Sequence, residues 1–226
     1  MNKQLPQQPE SRSAAARAVI FDIDGTLLQS DEVDARLYAE AIRSALGPVT
    51  VRDSWKSYTH VSDTGILRGI CADNAITFTP DLLGAVRSHF VGLISQHIAS
   101  IGPFTEIPGA LAFVSSLRNS EHYAVAYATG GWGASARIKL SSAGFPLDVP
   151  LASSDDHAER TSIMKHALGL LGGDFSSITY YGDGSWDRDA SRNLGWQFIA
   201  VGQALGGITR YDTPSLEQTA NAGRQA

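Results

Sequence analysis

Two aspartates lie two positions apart where a short apolar segment ends. The run Val-Ile-Phe-Asp-Ile-Asp-Gly-Thr places Asp22 and Asp24 directly after apolar residues 18–21, and Gly25 follows them. An apolar run that ends at a glycine is typical of a buried strand followed by a turn. Because residues i and i+2 of an extended segment point the same way, both carboxyl groups can reach one small volume. Ligands of open α/β sheets bind at that end of the strands, so the pattern predicts a functional site there.

The close spacing of these two acids also indicates a type of chemistry. Two adjacent carboxylates repel each other, so a site of this kind usually contains a cation or keeps one acid protonated. We therefore expect a carboxylate nucleophile beside a general acid or base, with a hard metal ion between them and the substrate.

A second acidic pair follows another apolar segment about 160 residues downstream. The run Ile-Thr-Tyr-Tyr-Gly-Asp-Gly-Ser-Trp-Asp spans residues 178–187, with Asp183 after the apolar part and Asp187 four positions later. It repeats the arrangement of the first run, in which an apolar strand leads into an acidic turn. Two acidic strand ends of this kind in one chain are hard to explain as incidental features of surface loops.

The rest of the chain divides into a helical part and an alternating part. Apolar positions recur at helical spacing from Asp31, and the Thr-Pro pair at Thr79 is typical of a helix start. Residues 31–103 hold no convincing strand, so we expect an all-helical insertion there. From residue 104 onward strands and helices alternate, which predicts an α/β fold with a parallel sheet covered by helices. The expected strands are 123–128, 150–153, 178–182 and 197–201, and the expected helices are 109–118, 133–143 and 159–171.

The two acidic runs resemble the first and fourth motifs of the haloacid dehalogenase superfamily, in its phosphotransferase form. The resemblance implies a Rossmann-like core at residues 17–30 and 104–212, with an inserted helical cap at 31–103. It covers nearly the whole chain apart from a polar leader at 1–16 and a polar tail at 213–226, both expected to be mobile.

The resemblance also implies roles for the four acids. Asp22 would attack phosphorus and form an aspartyl-phosphate, while Asp24 would protonate the leaving oxygen and later activate water. Asp183 would bind Mg²⁺ together with the Asp22 carboxylate and the backbone carbonyl of Asp24. Asp187 would bind the metal through water or orient its neighbours. Because dehalogenases and phosphonate-cleaving relatives lack the second aspartate of the first motif, Asp24 disfavours those activities.

The remaining motifs of the family would bind the phosphate. Thr129 ends the predicted strand 123–128 and fits the second motif, and the glycines after it, Gly130 and Gly131, would let backbone N–H groups approach an anion. The third motif is a basic residue near the start of a helix. Arg160 is the preferred candidate and Lys165 the alternative, and arginine can bind phosphate through two hydrogen bonds.

Substrate specificity is expected to come from the inserted helices, since a cap closes over the site and excludes water. Residues 58–65 form a polar segment that contains glycine, and we expect a loop between helices there. The candidates for contacts with substrate are His60, Thr64 and Arg68, with Trp132 at the entrance.

Composition restricts the remaining possibilities. The net charge of −5 and the pI near 5.6 disfavour a nucleic-acid-binding surface. Cys71 is the only cysteine, which favours a reducing compartment and hence the cytoplasm. No apolar run approaches 18 residues, so no membrane span is expected. Monomer and homodimer stay equally open.

The function that these features favour is a Mg²⁺-dependent phosphatase that hydrolyses a small phosphomonoester. Two alternatives remain. A sugar-phosphate mutase similar to beta-phosphoglucomutase would use the same aspartyl-phosphate. A non-enzymatic phospho-acceptor or binding module would have a similar fold and acidic pocket without turnover.

Overall fold

The structure, a computed structural model, describes residues 16–212. A five-stranded parallel sheet lies at its centre, with the strand order β3-β2-β1-β4-β5. The strands are β1 (Arg17–Phe21), β2 (Tyr123–Ala128), β3 (Leu151–Ala152), β4 (Ser177–Gly182) and β5 (Gln197–Ala200). Because the chain moves outward from β1 in both directions, the order reverses at the centre of the sheet, where Asp22 follows β1. Ligands of open α/β sheets bind at such a reversal.

Seven α-helices and two short 3₁₀ turns accompany the sheet in the described part of the chain. The helices are α1 (Asp31–Leu46), α2 (Asp63–Asp73), α3 (Pro80–Ile101), α4 (Ala110–Arg118), α5 (Gly133–Ser142), α6 (Arg160–Leu171) and α7 (Ser185–Leu194). The strands and helices whose bounds were predicted from the sequence agree with the structure to within two residues at each end. The predicted α/β architecture with a Rossmann-like parallel sheet is therefore confirmed.

Helix α3 shows why these boundaries could be read from the sequence. The hydroxyl of Thr79 accepts a hydrogen bond from Leu82 N at 3.2 Å, and Pro80 occupies the first helical position. Such a cap satisfies a backbone donor that has no partner inside the helix, and proline loses nothing there because it has no N–H. Gly102 follows the last residue of the helix.

The sheet separates two apolar layers. Ile20 of β1 packs with Ala126 and Tyr180 against α6, while Val19 and Phe21 point to the opposite face. This alternation follows from the two-residue period of a strand. The ring of Phe21 also stacks on that of Tyr181, with the centroids 4.9 Å apart, so the strand that carries the catalytic candidates is held on both faces.

Helices α1, α2 and α3 lie between β1 and β2 in the chain, and α1 packs on α3. One expectation in this segment was wrong. Residues 58–65 are not a loop throughout, because α2 begins at Asp63 and the hydroxyl of Ser62 accepts from Gly65 N at 3.3 Å. Asp63 and Thr64 therefore belong to a buried helical turn.

The predicted leader and tail fall outside the described residues, except for Ala16. This residue is buried, and its carbonyl oxygen accepts a hydrogen bond from Ser176 N at 3.0 Å, so it extends the edge of the fold. Between residues 16 and 212, no helix combines the length and the apolar character that crossing a membrane requires.

Candidate active site

The carboxyl ends of three neighbouring strands bring the candidate residues together. Asp22 follows β1, Thr129 follows β2 and Asp183 follows β4, and all three line one cavity of about 220 Å³. The backbone fixes these positions, since Asp22 N donates to Tyr181 O at 2.9 Å and Thr129 N donates to Ala152 O at 3.1 Å. The sheet thus holds the three side chains at one edge before any side-chain contact is considered.

Three carboxylates meet at this cavity, and two of them, Asp22 and Asp183, line it. Asp22, Asp183 and Asp187 each offer an oxygen, and these three oxygens lie within 4.8 Å of one another. Burial, together with repulsion from Asp31 and Asp187, raises the pKa of Asp183 to about 7. Burial also raises the pKa of Asp22 well above its usual range, although the nearby Arg160 opposes that shift. A set of hard oxygen donors that repel one another fits a divalent cation such as Mg²⁺.

Arg160 supplies the positive charge beside this cluster. It is the first residue of α6, and its guanidinium lies 3.4 Å from Asp22 Oδ1 and 3.3 Å from Asp187 Oδ1. Only 10% of the side chain is exposed, and a Cβ atom on Gly130 would lie 2.6 Å from Arg160 Nη2. Glycine is therefore needed where the loop after β2 passes the guanidinium. The alternative candidate, Lys165, is exposed.

Asp187 has more partners than the sequence suggested. It is fully buried in the first turn of α7, where its Oδ2 accepts from Gly184 N at 3.1 Å. Its Oδ1 faces Arg160 and lies 3.5 Å from the hydroxyl of Tyr180. These contacts place Asp187 behind the cavity, where it holds the arginine.

The carboxylate of Asp24 is anchored through one of its two oxygens. Oδ1 accepts from Ser30 Oγ at 2.5 Å and from Lys139 Nζ at 2.5 Å. Oδ2 faces the backbone after β2, since a Cβ atom on Gly131 would lie 3.7 Å from it. The turn that follows Asp24 depends on Gly25, which has φ +71°, a region that L residues rarely adopt. A Cβ atom on Gly25 would lie 2.5 Å from Asp183 Oδ2.

Lys139 is the residue that sequence reasoning missed. It lies on α5 with its side chain fully buried, and its ammonium also contacts Asp34 of α1. Burial alone would lower the pKa of this lysine, but Asp24 and Asp34 together raise it. One signal was present in the sequence: Lys139 shares the inward face of α5 with Ala136 and Leu140, where a lysine is unusual.

Thr129 follows β2 and lines the cavity, at the strand end expected for it. Its side chain is buried, and its Oγ1 accepts from Gly131 N at 3.0 Å, which folds the loop back toward the cavity. The carbonyl of Gly130 accepts from Asp63 N at 2.8 Å, so this loop also binds the start of α2.

The four residues predicted to contact substrate lie elsewhere or have other partners. Trp132 does not line an entrance: it is fully buried, and its indole N–H donates to Thr64 Oγ1 at 2.9 Å. Thr64 in turn donates to Ser154 O at 2.9 Å. Arg68 is exposed, with its guanidinium 5.0 Å from the ring centroid of Phe78. His60 is half-buried next to Val61, which does line the cavity.

Other residues form the rest of the cavity wall. It contains aromatic rings and three further acids, contributed mainly by α1, the 3₁₀ turn at 55–57 and α2. These wall residues are Asp31, Asp34, Tyr38, Trp55 and Asp63, with Trp186 from α7. Burial and the neighbouring Asp34 raise the pKa of Asp63 well above its usual range. This wall is therefore poor in positive charge.

A larger groove of about 840 Å³ lies at the opposite ends of the strands, between residues that precede β2, β3 and β4. Its two acids are Asp148, which is paired with Arg118, and Asp174. The acidic cluster and Arg160 thus single out the smaller cavity as the candidate site.

Comparisons with known proteins agree with this geometry. A search of curated proteins gives no significant match. Among solved structures, a hydrolase from Pseudomonas syringae is 20% identical, with a TM-score of 0.64 and 89% of each chain covered. CbbY from Rhodobacter sphaeroides, in complex with phosphate, is 21% identical with a TM-score of 0.63, over 88% of this chain and 90% of that one.

A beta-phosphoglucomutase from Clostridium difficile is 14% identical with a TM-score of 0.63, over 84% of this chain and 86% of that one. At these identities the structures support the shared fold alone. The family model of haloacid dehalogenase-like hydrolases, however, matches residues 16–195, which is most of the chain. The protein therefore belongs to the haloacid dehalogenase-like hydrolases and is an enzyme of that family.

Proposed function

We propose that this enzyme is a Mg²⁺-dependent phosphatase that hydrolyses a small phosphomonoester through an aspartyl-phosphate on Asp22. The observation that carries the proposal is that Asp22 belongs to an acidic cluster and also contacts a cationic group. Arg160 lies 3.4 Å from its Oδ1, and an oxygen of Asp22 lies within 4.8 Å of oxygens of Asp183 and Asp187. Phosphoryl transfer needs a nucleophile and a nearby positive charge that stabilises the phosphate oxygens. Asp22 and Arg160 are placed to fill these two roles.

In the first step a carboxylate oxygen of Asp22 forms a bond to phosphorus while the bond from phosphorus to the ester oxygen breaks. Asp24 gives its proton to that leaving oxygen. In the second step Asp24 takes a proton from water, which attacks the phosphorus and releases Asp22 and inorganic phosphate. Thr129 and Arg160 bind the phosphate oxygens throughout.

Asp22 and Asp183 are the carboxylates that would hold the metal, with the backbone carbonyl of Asp24 as a third ligand. Bound there, Mg²⁺ would neutralise the repelling carboxylates and withdraw charge from the phosphate. Asp187 faces Arg160 and Gly184 N, so its proposed role is to orient the arginine rather than to bind the metal directly.

We further propose that the helical segment 31–103 acts as a cap. It supplies part of the cavity wall, including Tyr38 and Trp55. Closure of this wall over a bound substrate would exclude water until the substrate is in place.

The charges on the cavity wall favour one phosphate and a remainder that is neutral or positively charged. Arg160 is the only basic residue among the described residues that line the cavity, whereas Asp31, Asp34 and Asp63 line it in addition to the acidic cluster. A second phosphate on the substrate would face these acids. The same feature disfavours the mutase alternative, whose bisphosphate activator carries two phosphates at once.

The test is phosphate release from a small panel, with Mg²⁺ and with EDTA. The panel compares phosphoethanolamine, glycerol 3-phosphate and phosphoglycolate, which carry a cationic, a neutral and an anionic group, beside an aryl phosphate. We expect release that depends on Mg²⁺, with phosphoglycolate as the poorest substrate. Glucose 1-phosphate with glucose 1,6-bisphosphate tests the mutase: its conversion to glucose 6-phosphate, without net phosphate release, would overturn the proposal. Absence of turnover with every compound would favour the binding module.

A further inference from the structure

We propose that Lys139 is a positioning residue for the general acid, and that it holds Asp24 by Oδ1 so that Oδ2 is presented to the leaving oxygen. This inference rests on the proposed function, since it assigns Lys139 a part in the proton transfer to the substrate. It is carried by geometry: one carboxylate oxygen is anchored twice, and the other is directed toward the cavity.

The anchoring is strong because both donors reach the same atom. Lys139 Nζ and Ser30 Oγ each lie 2.5 Å from Asp24 Oδ1, and Lys139 is fully buried. A hydrogen bond to a charged group in a dry environment fixes a carboxylate better than one exposed to water. The plane and the rotation of the Asp24 carboxylate are therefore set by two elements, the turn before α1 and helix α5.

The second oxygen of Asp24 is left for chemistry. None of the hydrogen bonds formed within residues 16–212 ends on Oδ2. Built onto Gly131, a Cβ atom would lie 3.7 Å from Asp24 Oδ2 and 3.4 Å from Thr129 Oγ1, so the two atoms face the same stretch of backbone. Because Thr129 marks the phosphate end, Oδ2 lies on the side where the ester oxygen would leave.

Asp34 completes the arrangement. Its carboxylate contacts the ammonium of Lys139, so the positive charge that holds Asp24 is balanced within the protein. Asp34 belongs to α1, whereas Lys139 belongs to α5, which follows β2 in the chain. The lysine thus joins the helical segment to the core at the general acid, which explains why a side chain this costly to bury lies in this position.

The decisive experiment compares Lys139→Met with wild type on substrates that differ in the basicity of the leaving group. The measured quantity is kcat/KM, which covers the steps up to phosphoryl transfer to Asp22. Alkyl phosphates need the proton from Asp24, whereas 2,4-dinitrophenyl phosphate expels a stable anion and needs little help. We expect a loss of about 100-fold or more with glycerol 3-phosphate and of less than about tenfold with the dinitrophenyl ester.

A purely structural role would lower kcat/KM by the same factor for both substrates, and that result would overturn the proposal. An unchanged kcat/KM for glycerol 3-phosphate would overturn it as well. Asp24→Asn should reproduce the selective loss, and Lys165→Met, which removes an exposed lysine from α6, should change neither substrate. If wild type itself hydrolyses no phosphate ester, it is the proposed function that fails.

Loss of the buried ammonium leaves two unpaired carboxylates, so Lys139→Met could fold poorly. The double variant Lys139→Met/Asp34→Asn removes the charge of both partners and is measured in parallel, with its fold checked by circular dichroism. The same selective loss is expected in it. Equal losses for the two substrates in the folded double variant would count against the proposal as they would in the single one.

Discussion

The guanidinium of Arg160 lies 3.4 Å from Asp22 Oδ1, although the two residues are 138 positions apart in the chain. This contact joins the first residue of α6 to the end of β1, across the centre of the sheet. The pKa of Arg160 is raised by Asp187 and Asp22 against the opposing effect of burial, so the group is a permanent cation beside the proposed nucleophile. A phosphate dianion that enters the cavity would meet this charge first.

Replacement of Arg160 by methionine should therefore lower kcat/KM for an aryl phosphate by about 10²-fold or more, because a donor aimed at transition-state charge is lost. Arg160→Lys keeps the charge but not the paired N–H groups, and we expect an intermediate value. Lys165→Met on the same helix is the matched control and should stay within about twofold of wild type. Equal losses in the Arg160 and Lys165 variants would contradict this assignment.

Asp22→Asn should show no turnover above background, because the neutral amide cannot attack phosphorus to form the acyl-phosphate intermediate. The fold should survive, since burial already disfavours the charged form of Asp22 and asparagine has the same shape. Steady-state phosphate release and a thermal melt of the same sample measure both expectations. Full activity in this variant would remove the aspartyl-phosphate mechanism.

Much of this site follows from the sequence because parallel strands end at one edge. The apolar runs before Asp22 and Asp183 locate β1 and β4, and the pairing of β4 with β1 then brings the two acids together. The position of Thr129 can be predicted in the same way, because Thr129 follows β2 and β2 also pairs directly with β1. In each case a local pattern and one general rule of sheet topology are enough.

The side chains that arrive from helices were harder to predict. Trp132 lies three residues after Thr129, yet it is fully buried against Tyr38 and Phe90 because the chain turns inward at that point. Lys139 contacts Asp24 and Asp34 because α5, which packs on α3, directs this side chain toward the start of α1. Such contacts depend on how helices lie on each other, and one sequence without tertiary information does not specify that geometry.

The acidic cluster predicts an unusual pH dependence for the metal-free protein. Raised pKa values, about 7 for Asp183 and about 6 for Asp34, mean that the folded state binds more protons than the unfolded chain above about pH 4. Stability should then fall as pH rises from about 4 to about 7. Exposed ion pairs such as Arg52–Asp73 act in the opposite sense, but their effect is confined to lower pH.

Bound Mg²⁺ should reverse this loss, because it binds the ionised carboxylates and only the folded state brings them together. Melting curves at pH 5.5 and pH 8, each with Mg²⁺ and with EDTA, test the prediction. We expect the increase in Tm on adding Mg²⁺ to be larger at pH 8. An increase of the same size at both pH values would show that these carboxylates do not bind the metal.

Gly25→Ala should damage the site itself. The new Cβ would lie 2.5 Å from Asp183 Oδ2 and 2.6 Å from Asp31 Oδ2, in a backbone with φ +71°. We expect weaker Mg²⁺ binding and lower activity, in addition to a backbone cost of about 1–2 kcal/mol. Gly47→Ala is the control, because Gly47 has φ +74° with nothing within 4 Å of the added atom.

Both variants should lose stability, as measured by urea unfolding without metal. Only Gly25→Ala should need more Mg²⁺ for half-maximal activity. If Gly47→Ala raises the Mg²⁺ requirement to the same extent, the effect comes from general destabilisation and the proposed position of the metal is not supported.

The acidic wall of the cavity can be tested through Asp63, which lines the cavity at the start of α2. Its Oδ2 accepts a hydrogen bond from Trp132 N at 2.9 Å, and the amide oxygen of asparagine can accept the same bond. Asp63→Asn therefore removes the ionisable carboxyl while keeping the contact. Because burial raises the pKa of Asp63, the variants are compared over a pH series, and the effect of losing the charge is expected at its alkaline end. We expect kcat/KM to rise for phosphoglycolate and to fall for phosphoethanolamine, with little change for glycerol 3-phosphate.

The size of this change depends on how much water the closed cavity retains. Two unit charges about 4 Å apart interact by about 1 kcal/mol in water and by about 4 kcal/mol near a protein surface, so a change of about tenfold in the ratio of the two substrates is a modest expectation. Asp53→Asn is the control, because Asp53 is exposed outside the cavity and its loss changes the total charge by the same amount. An equal shift in both variants would mean that the overall charge of the protein sets the preference; a shift in Asp63→Asn alone would place the selection at this wall.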